Sequence, residues 1–86
     1  MNQEEYIQAS IENHKVQRRH LQYVKNGIIY DIKSLNKQLE LSEHEDTGLD
    51  KDIRDSIKMR IEQLNGELQS LELNIGYVDS VISKYS

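Results

Sequence analysis

Ile57, Ile61, Leu64, Leu68, Leu71, Ile75, Val78, Ile82 and Tyr85 are separated alternately by four and three residues. An α-helix turns once every 3.6 residues, so this alternation lays one continuous apolar edge along about eight turns of helix. Such an edge cannot be hidden by the helix that carries it. It needs a second helix with a matching edge, either from the same chain or from another.

The first half supplies a candidate. Ile7, Ile11, His14, Arg18, Leu21, Lys25, Ile28, Ile32, Leu35 and Leu39 follow the same alternation, although three members are polar. Extending that series does not meet the second one, whose residues fall one position out of phase. A single uninterrupted rod would keep its phase, so the chain must break between residues 42 and 52. Ser42-Glu43-His44-Glu45-Asp46-Thr47-Gly48-Leu49-Asp50 is polar, contains a glycine and offers Thr47 or Asp50 as an N-cap for the next helix. The expectation is an all-α fold: helices over about 3–42 and 50–85, an acidic turn over about 43–50, and an antiparallel helical hairpin forming a single domain over 1–86.

Composition agrees with this reading. The 86 residues include no proline, no cysteine and four glycines. Without proline the strongest helix breaker is missing, and without cysteine neither disulfides nor zinc–thiolate staples can support so small a chain. Packing of helix on helix is what remains. No apolar run is long enough to span a bilayer, and the polar start Met1-Asn2-Gln3-Glu4-Glu5 is unlike a signal peptide. The sequence is read as that of a soluble, cytoplasmic protein that stays off membranes.

One local signal opposes the helix. Val24 and Ile28-Ile29-Tyr30 flank Asn26-Gly27, a pair favoured in tight β-hairpin turns. Helix is preferred because the seven-residue pattern continues on both sides and a lone hairpin has nothing to pack on. Gly27 then costs about 1 kcal/mol relative to alanine.

Helix one carries a second pattern. Ala9, Val16, Tyr23 and Tyr30 recur every seven residues on a side other than the seam. Two apolar edges imply two neighbours, of which the hairpin provides one. Self-association into a dimeric four-helix bundle would place Tyr23 and Tyr30 in its core. Alternatively they anchor a foreign protein, as exposed tyrosine commonly does at binding hot spots. In that reading Val16, Tyr23 and Tyr30, flanked by Lys15, Arg19 and Lys25, occupy an acidic, apolar-edged partner surface.

Charge is unevenly distributed. Residues 14–37 hold six Lys or Arg against Asp31, whereas residues 43–55 hold six Asp or Glu against Lys51 and Arg54. The net charge of −4 argues against a dedicated DNA-binding domain. His14, Arg18, Arg19 and His20 could still hold a small anion such as a nucleotide or a short nucleic acid across a subunit interface. The simpler reading is a solvated basic face, or one paired with acidic residues of helix two. Arg18 stands out because its seam position draws it out of water, where a charge needs a partner.

Neither metal, cofactor nor catalytic chemistry is expected. The acidic segment lacks the alternating ligands of a calcium loop, and His14 and His20 are too far apart to share a helical face. The chain has no phosphate-binding glycine loop and no nucleophile elbow. What the residues suggest is a small non-enzymatic regulator, adaptor or inhibitor, with a structural assembly component as a further possibility. A phage-type or bacterial accessory protein fits that description by analogy.

Overall fold

A computed structural model describes residues 2–44 and 51–86 as two helices, α1 (Gln3–His44) and α2 (Lys51–Tyr85). They lie side by side as a helical hairpin 68 Å long and 17 Å wide. Helix α1 runs two residues beyond the expected 42. The rest of the expected acidic turn, with its capping candidates Thr47 and Asp50, lies outside the described residues.

Local chemistry explains where α1 begins. Asn2 Oδ1 accepts a hydrogen bond from the Glu5 backbone N–H at 2.8 Å, and its carbonyl accepts one from Tyr6 N–H at 3.1 Å. The first bond satisfies a Glu5 N–H that no earlier turn could reach, and the second is the first i→i−4 bond of the helix. Glu4 and Glu5 place negative charge at the positive end of the helix dipole, and Asp52 does so for α2.

The α1 helix passes unbroken through Asn26-Gly27, and no described residue has positive φ. A two-residue hairpin turn of the favoured type needs positive φ at both positions. The competing interaction is Ile28, the next residue, which the helical conformation buries in the seam. Burial of its side chain outweighs the local turn preference.

The two seven-residue series form the seam. With seam positions labelled a and d, α1 contributes Ile11, Arg18, Lys25, Ile32 and Leu39 at a, and Ile7, His14, Leu21, Ile28 and Leu35 at d. Helix α2 contributes Ile61, Leu68, Ile75 and Ile82 at a, and Ile57, Leu64, Leu71, Val78 and Tyr85 at d. All are buried or half-buried except Tyr85, at the open end. Full burial is reached at Ile11, Ile28, Leu64, Ile75 and Val78. This core is one side chain deep, as two helices alone dictate.

Candidate partner-binding surface

The polar seam residues of α1 are each given a use inside the hairpin. Arg18 Nε donates to Asp79 Oδ1 at 2.5 Å, and Lys25 Nζ pairs with Glu72 Oε1 at 3.7 Å. Lys25 lies seven residues after Arg18 and Glu72 seven before Asp79, so one antiparallel register holds across both pairs. His14 Nδ1 lies 2.7 Å from the Ser10 carbonyl oxygen. A carbonyl only accepts, so that nitrogen carries the proton.

These placements separate the residues of the basic cluster. His14 and Arg18 turn into the seam. Lys15 and Arg19 project at e and b, on one broad side of the hairpin, and His20 projects at c, on the other. Lys15 also pairs with Glu12 at 3.7 Å, an exposed contact of the kind worth well under 1 kcal/mol. The four residues considered for anion binding therefore do not converge on one point. Among the described residues, no three His, Asp or Glu side chains gather as metal ligands, and no helix is long and apolar enough to cross a membrane.

The second apolar pattern of α1 is brought together on one edge. Val16, Tyr23 and Tyr30 all occupy position f, directly opposite the seam, and are 55%, 78% and 72% exposed. Successive members are about 10.5 Å apart along the axis. Lys15 and Arg19 flank this row at its N-terminal end. Lys25, expected beside it, is instead turned to the seam and held by Glu72. Both tyrosine rings stand in water.

Sequence reasoning overlooked the outer surface of α2. Met59 and Leu73 occupy position f there and are exposed, as are Tyr77 at c and Ile53 at g. The regularity of the α2 seam drew attention from these residues. The fourteen-residue step from Met59 to Leu73 was visible, interrupted by Gly66 in the intervening repeat. The f rows of the two helices point to opposite edges of the rod, so a flat surface can cover one but not both.

Among the described residues the grooves along the hairpin are open to solvent. One is lined by Asp31, Ser34 and Leu35 of α1 with Arg60 and Leu64 of α2, and another by Tyr6, Ile7 and Ser10 with Tyr85. No protein family model, curated protein or solved structure matches this chain.

Proposed function

We propose that this chain is a small non-enzymatic binding protein, a regulator, adaptor or inhibitor, that acts by occupying the surface of a partner protein. The observation that carries this reading is the row Val16, Tyr23 and Tyr30, exposed along one edge of the hairpin and not used by the hairpin itself. Tyrosine presents large contact area with few rotatable bonds, so little entropy is lost when it docks. Lys15 and Arg19 beside the row favour a partner whose apolar patch has an acidic rim. We also propose that the hairpin pairs with a second copy as a four-helix bundle, since one seam gives an 86-residue chain only a thin core.

The test is capture from native lysate on immobilised protein, comparing the wild type with the double variant Tyr23→Ala, Tyr30→Ala. Both side chains are exposed, so helicity should be unchanged while the captured partner is lost. Equal capture by the two proteins would remove the tyrosine row from the proposal.

A further inference from the structure

Between its two f edges the hairpin has two broad faces, and they differ in chemistry. Groove residues show which positions share a face: Asp31 and Ser34, at g and c of α1, line one groove with Arg60, at g of α2. Positions c and g of both helices thus form one face, and b and e form the other. Over residues 3–42 and 51–85 the b–e face carries twelve formally charged side chains, and its sole aliphatic residue is Ile29. The c–g face carries four, Asp31, Arg60, Glu67 and Lys84, together with His20. Of the large apolar side chains left exposed, Tyr6, Leu41, Ile53 and Tyr77 lie on the c–g face and none on the b–e face.

We infer that the c–g face is where a second copy of this chain packs, face to face about a two-fold axis, while the b–e face remains in water. Depletion of charge with retention of tyrosine and aliphatic residues is the composition of an interface centre. The occupant follows from charge and area. The four charges of the face cancel, so the face can meet itself without net repulsion, as a two-fold contact demands. A rod of 68 by 17 Å offers a footprint on the order of 1,000 Å² per copy, above the roughly 800 Å² per partner of a standard interface. In this arrangement Tyr23 and Tyr30 stand on the outer edges of the bundle rather than in its core, so one assembly presents two copies of the binding row. The inference rests on the self-association proposed above and assigns it a surface.

The experiment is the molar mass of the full chain by sedimentation equilibrium over a range of concentrations. Wild type is expected at twice the single-chain 10.1 kDa. The pair Ser34→Arg, Tyr77→Arg adds two charges to the c–g face. It should weaken association on the order of 100-fold or more. The pair Asn26→Arg, Gln69→Arg adds the same charge to the b–e face and should leave the dimer intact, as should Tyr23→Ala with Tyr30→Ala. Because the chain has no cysteine, single thiols can report without disrupting anything. A nitroxide on Ser70→Cys should be immobilised in the dimer, and one on Gln69→Cys should tumble freely. A wild type that stays at one chain mass overturns self-association altogether. A dimer that survives the c–g arginines, or that immobilises the Gln69 label and not the Ser70 label, overturns the face alone.

Discussion

Arg18 and Asp79, 61 positions apart in sequence, meet at 2.5 Å across the seam, in the same antiparallel register as Lys25 and Glu72. An arginine at a seam position flanked by Leu21 and His14 would otherwise present an unpaired charge to an apolar contact. Asp79 supplies the opposite charge from an e position, close enough to reach and still partly wet.

Arg18→Leu is expected to keep or raise thermal stability, by between 0 and roughly 2 kcal/mol, because a partly buried ion pair returns little beyond its desolvation cost. Asp79 is exposed enough to be solvated on its own. The price is specificity: polar seam residues penalise shifted registers, and a leucine does not. Thermal unfolding followed by circular dichroism measures the first effect. Broadened amide resonances across the seam would report the second, and a clear drop in melting temperature would contradict the account.

Leu64 is 2% exposed in the middle of the core, whereas Leu73, nine residues on, is 77% exposed. Leu64→Ala should cost about 2–5 kcal/mol, enough to unfold much of a chain with so thin a core. Leu73→Ala should stay within about 0.5 kcal/mol of wild type. Urea unfolding of the two variants side by side is the check, and similar losses would show that Leu73 is covered in solution.

Gly66 and Gly76 lie within α2, and a methyl group added to either would meet no atom within 4 Å. Each Gly→Ala substitution should therefore stabilise the helix by up to about 1 kcal/mol, by restricting the unfolded chain and improving helix propensity. The double variant should melt several degrees higher. A fall in melting temperature at Gly66 would indicate that something packs closely on the outer edge of α2.

Asn2→Ala removes the side-chain acceptor that satisfies the Glu5 N–H. A loss of about 1 kcal/mol is expected, confined to the first turns of α1, where hydrogen exchange should accelerate while the middle of the helix stays protected. Asn2→Ser should restore most of the protection.

Much of this fold is legible in the sequence because a helix repeats a local rule. The four–three alternation from Ile57 to Tyr85 names the apolar seam residues of α2, and the phase shift around residues 42–52 separates the helices. Val16, Tyr23 and Tyr30 could likewise be placed on one side of α1 by their spacing alone. Asn26-Gly27 was ambiguous because its turn preference is local, whereas the burial of Ile28 that overrides it depends on α2.

What the sequence by itself determined is the content of each helix: where it runs, which edge is apolar and which residues share a row. Tertiary structure alone decided how the two helices are set against each other. Periodicity fixes angles around one helix axis but carries no information about the rotation or stagger of a neighbour, which depend on side chains tens of residues apart coming into contact. That relative setting gave Arg18 to Asp79 and Lys25 to Glu72. It also joined the c and g positions of both helices into one charge-poor face.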